Sequence, residues 1–354
     1  MSQESYQWLA KNVITGFSDS RPAWWLKYAE AEGFTPNAYP GAIPMEEVKQ
    51  LLCSWEPDIS RILDEDKVLD AIRSGLTGDD LIRAIGTTQL KHHKSVKRDG
   101  NEIGLIGIDA ATHLYGDWLV GTVEETVNPG ELEVSSTGLL RDSAQAWVQI
   151  ERPESSVGPG GVQFSPYVLL STSLDGSWKS QINQNNTMVV CDNTANIGRS
   201  QGVAFKHTSN SGSKLGAFRG VMAAIVRGET DFKAELERML SVAVPDDAFG
   251  RFLSSFVPIN EEDKPAKKTR SERKRQELTQ LYKADSRVAP WHGTEFGVVQ
   301  AVNTWNQHMS QLRNSTGYEL NDTNLRAMRN YGERMKGNTG SDNETSAVLQ
   351  GVLV

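Results

Sequence analysis

The densest group of side chains that could bind a ligand is a run of Lys and Arg between positions 264 and 283. It holds eight basic and two acidic residues, a local charge of +6, whereas the rest of the chain carries −14. Cations at this density bind phosphate groups, as in nucleic-acid backbones. We therefore expect phosphate contacts from the following residues: Lys267, Lys268, Arg270, Arg273, Lys274 and Arg275.

The same run has structural explanations. Charge runs are commonly solvated helix faces or linkers, and a basic patch can also be a nuclear-type targeting segment. The flanking aromatic residues Tyr282 and Trp291 could stack on bases, although their default role is to hold the following helix against the core.

A second cationic stretch contains no acidic residue between Thr194 and Arg227. Asn193 or Thr194 is a suitable cap for a helix that starts there, and the exposed amides at such a start could accept an anion. The residues that we expect to contact phosphate in this stretch are Arg199, Lys206, His207, Lys214 and Arg219.

Known catalytic signatures are missing from the sequence. It has no phosphate-binding P-loop, nucleophile elbow, zinc-protease motif or CxxC pair, so we predict no cofactor and no covalent catalysis. A metal site at Cys191, Asp192 and His207 lacks ligand spacing, and a buried cysteine is the simpler explanation. An unrecognised enzyme site remains the second alternative, formed by Asp175, Cys191, Asp192, Asn193 and His207.

Composition limits the protein class. Nine Trp and ten Phe in 354 residues exclude a disordered chain. No apolar run reaches the roughly 18 residues of a membrane span, and the N-terminal residues lack a secretory signal pattern. Two cysteines indicate a reducing compartment, so we expect a soluble, cytoplasmic protein without membrane contact.

The hydrophobic pattern predicts elements of both types. Helices are expected at 4–13, 45–53, 113–124, 214–240 (with a break at 228–231 as an option), 270–283, 294–312 and 321–335. A hairpin is expected at 88–109 around Arg98-Asp99-Gly100-Asn101, and strands at 146–151, 164–173, 187–191 and 203–207.

This order predicts an α+β fold, with a mixed or antiparallel β core packed with helices and a helical C-terminal region. We divide the chain into an N-terminal α/β region (1–125), a β-rich core followed by a long helix (126–260), a basic linker or helix (261–293), C-terminal helices (294–340) and a flexible tail (341–354).

Several stretches resemble one family. They are SQESYQWLAKNVITGFSDSRPAWW (2–25), YPGAIPMEEVKQLLCSWEP (39–57), GLLRDSAQAWVQIE (138–151), PYVLLSTSLDGSWKS (166–180), MVVCDNTAN (188–196), FKHTSNSGSKL (205–215) and GTEFGVVQAVNTW (293–305). They resemble domain of unknown function 932, a phage- and plasmid-like family of actinobacteria and their viruses. Lys206 stands where the family has Arg, and Trp25 where it tends to have His.

The resemblance implies a phage or mobile-element protein made in a bacterial cytoplasm. It also suggests a remote relationship to single-strand annealing recombinases, the RecT and lambda beta superfamily, which form rings or filaments and use no nucleotide. Strands followed by a long helix are compatible with their core, although fold analogy alone does not establish function.

We therefore expect an ATP-independent nucleic-acid-binding protein that favours single-stranded DNA, assembles as a homo-oligomer and anneals strands in recombination or replication. The first alternative is a non-enzymatic protein-interaction factor that acts on a host pathway.

Overall fold

The computed structural model describes residues 10–20, 26–31, 37–87, 89–107, 114–127, 130–154, 156–188, 194–195, 203–205, 221–309 and 340–353, together with residues 23, 33, 35 and 110. Over these residues the α+β prediction is confirmed: antiparallel sheets are packed with helices, and the C-terminal part is helical. None of the described helices is both long and apolar enough to cross a bilayer.

Within the described residues, eight strands form one antiparallel sheet. Their order along the main path is β1 (Val13–Thr15), β5 (Glu133–Leu140), β6 (Gln145–Glu151), β8 (Gln163–Ser173), β9 (Ser180–Met188) and β10 (Thr194–Ala195). Two short strands join it off this path: β7 (Ser156–Val157) pairs with β8, and β11 (Val203–Phe205) pairs with β9.

One face of the large sheet forms the main hydrophobic core. Because side chains alternate along a strand, Ala146, Val148 and Ile150 of β6 share this face, and all three are fully buried. They pack in one cluster with Trp118 and Leu119, which lie on a π-helical turn, Gly116–Val120. The same cluster includes Ile14, Val48 and Val96, so it joins residues on both sides of position 125.

The second sheet is a three-stranded antiparallel unit of β2 (Asp58–Leu63), β3 (Gln89–Arg98) and β4 (Asn101–Gly107). The predicted hairpin at 88–109 is confirmed by β3 and β4. Its two turn residues, Asp99 and Gly100, have φ values of 51° and 81°. A two-residue turn needs positive φ at both positions to match the right-handed twist of the flanking strands.

The helices, in chain order, are α1 (Leu26–Ala31), α2 (Met45–Cys53), α3 (Glu65–Arg73), α4 (Gly78–Thr87), α5 (Gly121–Thr126), α6 (Val221–Ser241), α7 (Asp246–Phe256), α8 (Pro265–Ala284), α9 (Glu295–His308) and α10 (Gly340–Leu353). The last four share a second hydrophobic core. A smaller cluster connects the two parts, because Phe164 of β8 packs with Phe232 of α6 and Phe296 of α9.

The C-terminal tail differs from the prediction. Residues 340–353 form α10 instead of a flexible tail, and Leu349 is fully buried in the core that α7, α8 and α9 share. The physical reason is that apolar side chains of this segment have a hydrophobic groove to fill, which a pattern of polar followed by apolar residues does not reveal.

Helix α6 is also continuous through 228–231, where the sequence pattern allowed a break between two helices. Glu229 stabilises this point, because its carboxylate accepts hydrogen bonds from Arg152, Ser156 and Lys233 at 3.2, 2.7 and 2.7 Å. Of the predicted elements, the parts that lie outside the described residues include 4–9, 189–191, 206–207, 214–220, 310–312 and 321–335.

Candidate nucleic-acid interface

Helix α8 carries the basic run. Pro265 occupies its first turn, where a missing amide proton costs nothing, and no acidic residue lies in that turn. Leu278, Leu281 and Tyr282 form the buried face of the helix, and they pack against α7 and α9. The run is therefore a packed helix rather than a solvated linker.

Two of the six predicted phosphate-binding residues of α8 instead hold the helix in place. The Arg275 guanidinium donates a hydrogen bond to the carbonyl of Val257, just after α7, at 2.9 Å. The Lys274 ammonium lies 4.9 Å from the ring centre of Phe256 and 4.3 Å from that of Trp305. Burial lowers the pKa of this ammonium. Both cations are thus engaged between helices, a correction to the sequence-based expectation.

The other four predicted residues remain accessible to solvent. Lys267 pairs with Asp263 at 2.6 Å and Arg273 with Glu277 at 2.8 Å, each one helical turn apart. Such pairs between partly exposed side chains contribute little to stability because solvent screens them, so a phosphate can replace the carboxylate. Among the described residues, Lys268 and Arg270 donate to backbone carbonyls, those of Glu261 at 2.6 Å and Ala266 at 3.1 Å.

The aromatic flanks take their structural role. Tyr282 is completely buried, stacks on Phe249 with ring centres 4.2 Å apart, and accepts a hydrogen bond from the Gly293 amide at 2.9 Å. Trp291 is also buried and packs edge-on against Phe296. Neither ring is available to stack on a base, so the default role that the sequence assigned to them is confirmed.

The second predicted group cannot be placed. All five residues of this group lie outside the described residues: Arg199, Lys206, His207, Lys214 and Arg219. The nearest described strand, β11, ends at Phe205. Cys191, Asp192 and Asn193, the core of the enzyme alternative, lie outside them too. Asp175 is described, and its carboxylate accepts a hydrogen bond from the Ser177 amide at 2.9 Å within the β8–β9 turn. Among described residues no group of His, Cys, Asp and Glu could hold a metal ion.

Sequence reasoning missed a strained turn between β5 and β6. Arg141, Asp142 and Ser143 are consecutive non-glycine residues with φ of 48°, 53° and 77°, at a cost of about 1–2 kcal/mol each. Tyr115 and Arg98 fix it by donating hydrogen bonds to the Ser143 carbonyl, at 2.7 Å, and to its hydroxyl. No glycine or asparagine marks this turn, so the signal was weaker: Asp142 and Ser143, which are turn-forming residue types, between two alternating stretches.

A group of buried polar side chains on the large sheet was also missed. Glu151, Ser171, Gln181 and Asn183 lie on the face opposite the main core, and all are at least nine-tenths buried. The Asn183 amide nitrogen has no hydrogen-bond partner among the described residues. The signal was present in β9, whose sequence SQINQNNTM is nearly all uncharged polar residues.

Comparison with known proteins identifies the family. A family model described as Domain of unknown function (DUF932) matches residues 119–330, more than half of the chain, so the chain belongs to this family. The matched range begins after the stretches at 2–25 and 39–57. Neither a curated protein nor a solved structure matches the chain.

Proposed function

For this member of the DUF932 family, we propose an ATP-independent role in binding nucleic acid, with single-stranded DNA favoured and strand annealing in phage recombination or replication as the setting. The protein acts as a homo-oligomer in the cytoplasm of a bacterial host and catalyses no covalent step. The observation that carries the proposal is the group of solvent-accessible cations on the first turns of α8, in a chain with a net charge of −8.

The favourable free energy of binding comes from exchanging weak contacts for phosphate contacts. Lys267, Lys268, Arg270 and Arg273 lie within seven residues and have partners that cost little to displace. Each phosphate contact with a single strand also releases bound counterions. Lys274 and Arg275 are left out, because their contacts with α7 and α9 keep the helix in place.

A single strand is the favoured partner for two reasons. The sequence contains no helix-turn-helix or other duplex-reading motif, and a single strand can follow an isolated helical row of cations. The resemblance to annealing recombinases supports the same partner, since those proteins need no nucleotide and this sequence has no P-loop. Strands β5–β9 followed by α6 are compatible with their core order.

The test is fluorescence anisotropy of a labelled oligonucleotide, single-stranded and duplex, with the full chain. Four contacts predict a salt slope of about −2.8, which is an affinity loss of roughly 50-fold between 50 and 200 mM salt. Replacing Lys267, Lys268, Arg270 and Arg273 by Gln should abolish most of this slope, while the unfolding midpoint stays close to that of the unsubstituted protein.

A matched control removes four exposed cations elsewhere: Lys11, Arg61, Lys179 and Arg251, each changed to Gln. The net charge falls equally, so affinity lost in both variants would reflect overall charge rather than α8. Tighter binding to duplex than to single strands, or a salt slope that the α8 variant retains, would contradict the proposal.

A further inference from the structure

Exposed apolar side chains are concentrated in one part of the fold. Among the described residues, seven of the nine large hydrophobic side chains that are exposed lie within 58–107, the segment of β2, α3, α4, β3 and β4, which we call the small lobe. They are Ile59, Leu63, Leu69, Ile72, Leu76, Ile82 and Leu105. Patches of this kind mark interaction surfaces. We propose that α3 of the small lobe pairs, antiparallel and about a two-fold axis, with α3 of a second copy of this chain.

No hydrophobic cluster of the described residues covers the two helices of the small lobe. No side chain of α3 is buried, and none of α3 or α4 belongs to the hydrophobic clusters of the described residues. Val68 and Ala71 of α3 are half-buried, and α3 contacts α4. On the outer side Ile72 remains 52% exposed, and Ile82 of α4 68%.

The outer face of α3 has the residue spacing of a helix-pairing stripe. Glu65, Leu69, Ile72 and Arg73 follow the i, i+4, i+7, i+8 pattern that places side chains on one side of a helix. The apolar pair occupies the middle of the stripe, a carboxylate lies in the first turn and a guanidinium in the last. A second α3 helix in the antiparallel direction presents the opposite order of charges, so this charge asymmetry favours a second copy over other partners.

When two α3 helices run antiparallel with Leu69 at the two-fold axis, positions 65 and 73 face each other, because paired positions are equally far from the axis. Glu65 of each copy then meets Arg73 of the other, so two symmetric ion pairs flank a contact between apolar side chains. Arg73 is free to change partner, since its contact with Asp70 is 3.6 Å long and about three-quarters exposed. The opposed helix dipoles add to the attraction.

This surface does not fit nucleic acid. The segment from Asp58 to Arg83 carries seven acidic and four basic residues, and acidic side chains repel phosphates. The proposed pairing identifies the surface through which the homo-oligomer of the proposed function forms. It rests on the proposed homo-oligomer alone and is independent of the α8 cations.

The first experiment measures the mass of the full-length protein by sedimentation equilibrium. We expect dimers, and we expect Ile72→Glu to raise the dissociation constant by at least tenfold, about 1.4 kcal/mol. The control is Val157→Glu, an equally drastic change of a 60% exposed apolar residue outside the small lobe, which should stay dimeric. A monomeric unsubstituted protein would overturn the pairing in favour of a different partner protein, and an unaffected Ile72→Glu variant would overturn it as well.

The second experiment tests the charge pairing directly. Glu65→Arg alone and Arg73→Glu alone place like charges opposite each other in both ion pairs, so each should weaken its own dimer about tenfold or more. Mixed together, the two variants complement each other at both positions and should form a heterodimer within about threefold of the unsubstituted affinity. Failure of the mixture to dimerise, or full dimerisation of each variant alone, would refute the register.

Nucleic-acid binding of the same variants separates the two proposals. The small-lobe variants keep Lys267, Lys268, Arg270 and Arg273, so a monomeric variant should retain the salt slope of binding. If the slope is absent in the unsubstituted protein but the dimer responds as described, the proposed function fails and the pairing surface stands. If the slope is present but the dimer does not respond, the pairing fails alone.

Discussion

The ion pair between Arg238 of α6 and Glu295 of α9 should contribute strongly to the free energy of unfolding. The Glu295 carboxylate is completely buried in the first turn of α9. The Arg238 guanidinium near the end of α6 donates to it through two nitrogens, at 2.9 and 2.7 Å, and also to Glu235. These hydrogen bonds raise the pKa of Arg238. Ser346 of α10 donates to the same carboxylate, so three helices meet at one group.

The two partners should not be equivalent when they are changed one at a time. Arg238→Met leaves a buried carboxylate without its cation, which typically costs 3–5 kcal/mol; partial exposure of Arg238 places the expected loss near the lower value, about 3 kcal/mol. Glu295→Gln keeps the shape and one acceptor oxygen, but its amide nitrogen cannot accept the second hydrogen bond from Arg238. Arg238 keeps Glu235, so about 1–2 kcal/mol is expected. The double variant should be more stable than Arg238→Met, because it no longer buries an unpaired charge.

Urea unfolding followed by tryptophan fluorescence measures all three variants as a double-mutant cycle, with an expected coupling of about 1–3 kcal/mol. Lys49→Met is the control, because the Lys49–Glu124 pair is nearly half-exposed on both sides and its loss should cost much less stability than Arg238→Met. The reasoning is refuted if Arg238→Met costs no more than Glu295→Gln, or if the double variant is the least stable of the three.

Three further predictions concern packing and pH. Leu349→Ala should lower the free energy of unfolding by about 2–4 kcal/mol in a urea titration, and a loss below 0.5 kcal/mol would contradict the buried place of α10. Gly138→Ala should cost about 1–3 kcal/mol and shift tryptophan emission, because the added methyl group would collide with the Trp147 indole; an unchanged spectrum and midpoint would disprove this contact. Burial raises the pKa of Glu229, but hydrogen bonds from Lys233 and its other donors outweigh it and hold the pKa below the usual 4.5. The stability it adds should therefore be complete above pH 4.5 and decline below it, so the difference from Glu229→Gln should shrink on acidification, and a constant difference would argue against the pairing.

Features that depend on neighbours in the chain were predictable. The Thr294 hydroxyl caps α9 by accepting a hydrogen bond from the Gly297 amide at 3.1 Å, and the Asp99-Gly100 turn closes a hairpin. The α+β class and the helix at 45–53 followed from the period of apolar residues in the same way. Each depends on side chains and amides within four residues, so a short window of sequence holds the information.

The candidate site was predictable only in part. The sequence identified α8 as a basic helix, yet it could not separate Lys274 and Arg275 from the four accessible cations, because that depends on where Trp305 and the end of α7 lie. The exposed stripe of α3 went unnoticed for a related reason. An amphipathic helix has the same sequence pattern whether or not another element covers its apolar side.

Residue types alone determined that this chain has an acidic body with a basic helix, mixed strands and helices, and no known catalytic motif. The tertiary structure decided which charges are available and which hold helices together, that the last residues form a packed helix, and which apolar face stays uncovered. Burial is a property of contacts between distant segments, whereas charge, capping and periodicity belong to neighbouring residues. The same ammonium group can therefore be a surface cation at Lys267 and a half-buried contact with Phe256 and Trp305 at Lys274.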